Sequence, residues 1–138
     1  MPAFTHCSLD TRILTDKPKG KYRPGRFDQD FQKSADKFGG INLYQRWETN
    51  SIVDEQPRWE MTIFLAADAP KDAATMDLTP RRCQKFRPKP GEMFRWTNTS
   101  LADGKVVQSG TVKADRWGLI TVPKAAVTKA KRRISIRR

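Results

Sequence analysis

The stretch from Gly91 to Pro123, GEMFRWTNTSLADGKVVQSGTVKADRWGLITVP, constrains the fold more than any other part of the chain. Phe94 and Trp96 alternate with Met93, Arg95 and Thr97, the period-2 pattern of a strand with one buried face. Asp103-Gly104 follows as a hairpin signal, because Gly accepts the positive φ of a tight turn and Asp tolerates it better than most residues. A second strand is predicted over Lys105 to Lys113, with Val106 and Val112 on one face and Val107, Ser109 and Thr111 on the other. Gly110 in its middle is expected to mark a bulge or bend. After the polar turn Ala114-Asp115-Arg116 and Trp117-Gly118, a third strand is predicted over Leu119 to Val122, stopped by Pro123.

The same logic runs along the rest of the chain. Met1 to Gly25 carries Pro18, Pro24, Gly20 and Gly25 amid Lys and Arg, and residues 1–26 read as an extended arm or linker. If the arm packs on the body, Cys7 and Ile13-Leu14 are its expected anchors. Phe27 to Phe38 places Phe27, Phe31, Ala35 and Phe38 on one face of a short helix, with Asp28 and Asp30 near its start and Gly39-Gly40 at its end. Strands are predicted over Ile41 to Glu48, Arg58 to Leu65, Thr75 to Leu78 and Arg132 to Arg138, where Ile134 and Ile136 alternate with Arg133, Ser135 and Arg137. In the second of these, Trp59, Met61, Ile63 and Leu65 share the core face, while Arg58, Glu60 and Thr62 share the other. The intervening segments are read as connections: Thr49 to Pro57, the turn Ala66 to Pro70, the proline-rich Pro80 to Gly91 and the turn-like Lys124 to Lys131. The expected fold is all-β, an antiparallel β-sandwich over 27–138 that carries the helix at its start; a partly open barrel such as an OB-fold is the alternative.

Charge is distributed unevenly. Residues 1–40 carry a net +3, residues 41–80 a net −4, and residues 81–138 a net +13, within a total of +12. Two basic clusters stand out: Arg81, Arg82, Lys85, Arg87 and Lys89, with Phe86 interleaved, and Lys129, Lys131, Arg132, Arg133, Arg137 and Arg138. Basic side chains beside an exposed aromatic can neutralise phosphates and stack a base. Either cluster could equally be a solvated surface with Phe86 buried. Tyr44 and Trp117 are the aromatic residues expected outside the core and so the candidates for sugar or base stacking, since Trp47, Trp59 and Trp96 fall on predicted core faces.

Catalysis has little support. The chain has no G-x-S-x-G, no Gly-rich phosphate loop and no H-E-x-x-H, and its single histidine, His6, lies in the arm. The acidic residues Glu48, Asp54, Glu55 and Glu60 are expected to be solvated. Cys7 and Cys83 lie 76 positions apart, which fits no metal motif, and they either bridge or remain two thiols. No metal or cofactor is expected. Asn98-Thr99-Ser100 matches a glycosylation sequon, a short match that chance produces often. The N-terminus shows no signal peptide, and no apolar run suggests a membrane partner.

Leu43-Tyr44-x-Arg46-Trp47, Arg58-Trp59-x-Met61-Thr62, Phe94-x-Trp96-Thr97-Asn98 and Gly110-x-Val112-x-Ala114-Asp115-x-Trp117-Gly118-Leu119-x-Thr121-Val122 together span about 100 residues. In these motifs the chain resembles the immunoglobulin- or fibronectin-like β-sandwich modules that follow catalytic domains in secreted bacterial enzymes. The resemblance implies a non-catalytic accessory role, a neighbouring domain or subunit as partner, and an extracellular or periplasmic location; it carries no ligand residues across. The expected function is therefore a module presenting a basic face to a protein partner or polyanion. The alternatives are a nucleic-acid-binding protein using 81–89 and 129–138, or a module binding carbohydrate, including acidic polysaccharide.

Overall fold

Arg58–Leu65 forms the strand its alternation predicts, because four large apolar side chains at every second position can be removed from water together. In the computed structural model, which describes residues 2–10 and 43–138, this strand lies inside the larger of two antiparallel sheets. In chain order the strands are β1 (Ala3–Thr5), β2 (Gln45–Glu55), β3 (Arg58–Leu65), β4 (Ala73–Thr79), β5 (Met93–Ser100), β6 (Val106–Lys113), β7 (Val122–Thr128) and β8 (Arg132–Arg137). One sheet has the order β1-β4-β7 and the other β2-β3-β8-β5-β6. The described residues are thus all-β, with the two-sheet arrangement of a β-sandwich. The predicted helix over Phe27 to Phe38, the start of the Ile41 strand and Ile13-Leu14 lie outside the described residues.

The core forms where the sheets face each other. Trp59, Met61, Ile63 and Leu65 from β3, Ile134 and Ile136 from β8, and Phe94 and Trp96 from β5 are buried with Met76 and Leu78 from β4 and Val122, Ala125 and Val127 from β7. Each of the larger side chains among them contributes roughly 1.5–3 kcal/mol by leaving water. The N-terminal segment adds to this core: Phe4 in β1 packs on the ring of Trp47 at 5.4 Å, and Cys7 is buried with its Sγ 2.9 Å from Gln45 Nε2. Within the predicted arm, residues 3–5 are therefore a strand paired to β4 rather than irregular chain.

Several expectations need correcting, each for a local reason. The connection predicted over Thr49 to Pro57 is mostly strand, since β2 runs to Glu55. Its pairing with β3 shifts between Glu48 and Val53, where the Ser51 hydroxyl donates to Glu48 O at 2.6 Å and accepts from Thr62 N at 2.9 Å. That side chain replaces the missing ladder bonds, so polar residues can continue the strand. The third strand expected over Leu119 to Val122 begins only at Val122 and continues through the predicted basic turn to Thr128. Pro123 does not stop it, because β7 is an edge strand and Pro123 lies in a bulge of that strand, between the pairs Leu78–Val122 and Met76–Ala125. At that bulge Lys124 takes φ 46°, and its N–H is received by Asp77 Oδ1 at 2.9 Å; Asp77 Oδ2 lies 3.0 Å from His6 Nδ1.

Gly110 marks no bulge; it pairs in register with Trp96. A Cβ there would lie 2.8 Å from Trp96 Nε1, so the missing side chain makes room for the indole. The free edge of β7 is covered by amide side chains from the larger sheet. Gln108 accepts from Ala126 N at 2.7 Å and donates to Lys124 O at 3.1 Å, while fully buried Asn98 donates to Ala126 O at 2.7 Å and to Gln108 Oε1 at 2.9 Å. Three of these bonds occupy edge groups that would otherwise invite another strand, and the fourth ties the two amides together.

Candidate polyanion-binding end

Glu60 and Thr62 lie on the β3 face expected to meet solvent, yet both are buried. Antiparallel register explains it, because β8 places Ser135 opposite Glu60 and Arg133 opposite Thr62. Arg133 donates to Glu60 Oε2 through Nε and Nη2 at 2.8 and 2.5 Å, Arg137 Nη2 donates to Oε1 at 3.0 Å, and Ser135 Oγ bonds Oε1 at 3.1 Å. Arg58 Nη1 adds a contact at 3.6 Å. Burial alone would push the Glu60 carboxyl up, but the guanidinium hydrogen bonds and charges outweigh it and hold the group below the usual carboxylate range.

This network divides the two basic clusters. Arg133 and Arg137 are engaged by Glu60; Lys129 pairs with Asp72 at 3.3 Å and Lys131 with Glu48; Arg132 is half-buried with Nε out of solvent. The 129–133 segment therefore has most of its charge paired within the chain. β8 carries the chain about 17 Å from Arg132 to Arg137 at ~3.3 Å per residue, so Lys129 and Lys131 sit at the opposite end from Arg138.

The first cluster is arranged differently. Asp54, near the end of β2, accepts the backbone N–H groups of Gln84 at 2.5 Å, Lys85 at 3.3 Å and Phe86 at 2.8 Å, a nest of three donors around one carboxylate. Its burial works to raise the pKa, while these three bonds and the Lys85 charge prevail and lower it. Phe86 is buried, edge-on to Phe94 at 5.4 Å, so it offers no face for stacking a base or sugar. Arg138 lies over the Phe94 ring, pairs with Glu92 and donates to Gln56 O at 3.1 Å. Anchored this way, the loop holds Arg81, Arg82, Lys85, Arg87 and Lys89 exposed, and among the described residues no carboxylate lies within ion-pair distance of any of them. Arg82 is itself in the left-handed region, at φ 53°.

Trp117 joins this loop across nearly thirty residues of sequence. Asp115 Oδ1 accepts from Trp117 N at 2.8 Å and Leu119 N at 2.9 Å, forming a tight turn, and Gly118 has φ 71°. A Cβ on Gly118 would lie 2.6 Å from Pro88 O, so only glycine lets the turn meet the loop. The result is a cavity of about 240 Å³ lined by Arg81, Arg82, Cys83, Arg87 and Trp117 among others. Gly118→Ala is expected to lower stability by about 1–2 kcal/mol and to loosen this junction, measured as a lower denaturant midpoint with earlier amide exchange at Lys89 and Gly91.

The remaining candidates fall elsewhere. Tyr44, expected on an outer face, packs against the core beside β2. Cys7 and Cys83 are separate thiols. Burial, with the nearby Asp54 charge, pushes the Cys83 thiol up to about 11, so it stays protonated at neutral pH. Glu48, Asp54, Glu55 and Glu60, expected to be solvated, all have partners: Lys131, the 84–86 backbone, Arg58, and the arginine network. Sequence reasoning missed Asp54 as the anchor of the loop and Arg116, whose guanidinium lies 4.7 Å from the centroid of the Trp117 ring; the D-x-W-G-L spacing of a turn was the only available signal. No family model, curated protein or solved structure matches the chain.

Proposed function

We propose that this chain is a non-catalytic interaction module whose loop 80–91 end docks a polyanionic partner. The observation that carries this reading is the set of five exposed cations at Arg81, Arg82, Lys85, Arg87 and Lys89, unpaired among the described residues, on a loop anchored by Asp54. A loop whose backbone is ordered in advance loses little backbone entropy when its cations meet an anion, and those cations release counterions from it. The two-sheet layering supports reading the molecule as a β-sandwich module of the immunoglobulin- or fibronectin-like kind. Such a scaffold suits presentation of a surface to a larger assembly. Titration of the protein with heparin across a salt series tests the proposal: binding should be detectable at low salt, with log K falling linearly against log salt. Absence of binding to any anionic polymer at low salt would refute it.

A further inference from the structure

Resting on that reading, we propose that the polyanion is single-stranded nucleic acid, with the indole of Trp117 stacking an unpaired base while Arg81, Arg82 and Arg87 hold the adjoining phosphates. Trp117 is 71% exposed, by far the most open aromatic residue among the described residues, although tryptophan is usually well covered. Its exposure is built in: the Asp115 carboxylate fixes its backbone, and Gly118 seats the turn against Pro88. The Arg116 guanidinium stacks on the ring, and the indole also lines the cavity shared with the three arginines. A stacking surface beside a row of cations, with both set in advance, is the arrangement that single-strand binders use.

The chemistry of the lining separates ligand classes. Among the described residues the cavity has no carboxylate, amide or hydroxyl side chain. Arginine donates hydrogen bonds and accepts none, so the cavity has no side-chain acceptor for the hydroxyl groups of a sugar ring beyond weak sulfur. A nucleotide asks for a π surface and for donors to phosphate oxygen, and both are present. A regular duplex keeps its bases stacked internally and would leave Trp117 without a partner.

The test compares a short labelled oligothymidylate, a duplex of equal length and a heparin fragment of matched charge, each with the wild-type protein, Trp117→Ala and Trp117→Phe. The expected result is tighter binding of the oligothymidylate than of the other two, a loss of about 5- to 100-fold in Trp117→Ala for that ligand alone, and recovery in Trp117→Phe. Acrylamide quenching of tryptophan fluorescence should fall when the oligothymidylate binds. Equal binding of all three ligands with no effect of Trp117→Ala would overturn the inference and leave the polyanion reading standing. Tighter binding of the heparin fragment that depends on Trp117 would overturn it in favour of an acidic polysaccharide. Failure of all three to bind at low salt would overturn both readings. Because Trp117 is exposed, an unchanged thermal midpoint in the variants ties any loss to binding rather than folding.

Discussion

Glu60→Gln is expected to lower the stability of the protein by about 3 kcal/mol, seen as a shift in the urea midpoint at constant slope. The substitution keeps the shape of the side chain but removes the charge that holds Arg58, Arg133 and Arg137 on one face of the larger sheet. Glu60 is 6% exposed at its side chain, whereas the three arginines are 31–60% exposed. Water therefore screens the arginines and keeps the loss near the lower end of what breaking a buried pair costs. The pH dependence follows from the same contacts. The folded-state pKa of Glu60 lies below its ordinary value, so its contribution is fully present above about pH 4.3 and is lost as pH falls through the lower folded value. Asp54 acts in the same direction, since its pKa is also lowered. Acid unfolding of the wild type should be steeper than that of Glu60→Gln, and the two stabilities should converge at low pH. Equal stability of both proteins at neutral pH would contradict this account of the face.

Reversing charge on the loop should have the largest effect on binding. A protein carrying Arg81→Glu, Arg82→Glu and Lys89→Glu is expected to bind anionic polymers at least about 100-fold more weakly at low salt, and its salt slope should fall by about two to three units. None of the three side chains is needed to anchor the loop, which rests on Asp54, Phe86 and the Arg138–Glu92 pair. The control carries Lys129→Glu and Lys131→Glu. Those lysines face Asp72 and Glu48, so reversal should cost stability while leaving affinity within about 3-fold. Thermal midpoints and affinities measured on both proteins should therefore change in opposite order. If the control lost affinity as severely as the loop variant, the division between the two ends of β8 would be wrong.

The parts of this molecule that were legible in its sequence are those fixed by local patterning. β3, β5 and β8 each alternate apolar and polar residues over most of their length, with exceptions at Phe64, Asn98 and Arg132, and their core faces follow from that alternation. β7 was illegible because Pro123 usually ends a strand, and its tolerance here depends on an edge position and on a bulge within β7 itself. The continuation of β2 depends likewise on the Ser51 hydroxyl standing in for backbone bonds. Alternation correctly set Glu60 opposite the core, but its burial comes from arginines more than seventy residues later, which no local pattern reports. The candidate site divides in the same way. Composition identified the cations of 81–89, while pairing across the sheets decided which cluster remained free, and a contact between Gly118 and Pro88 brought Trp117 to it.

The most direct measurement of the central claim is an amide NMR titration with a short anionic polymer at low salt. The account predicts that shifts concentrate at Arg81, Arg82, Lys85, Arg87 and Lys89 and at the turn Arg116–Leu119, while Lys129 to Arg133 stay in place. Shifts centred on Lys129 to Arg133, with the loop unperturbed, would contradict it.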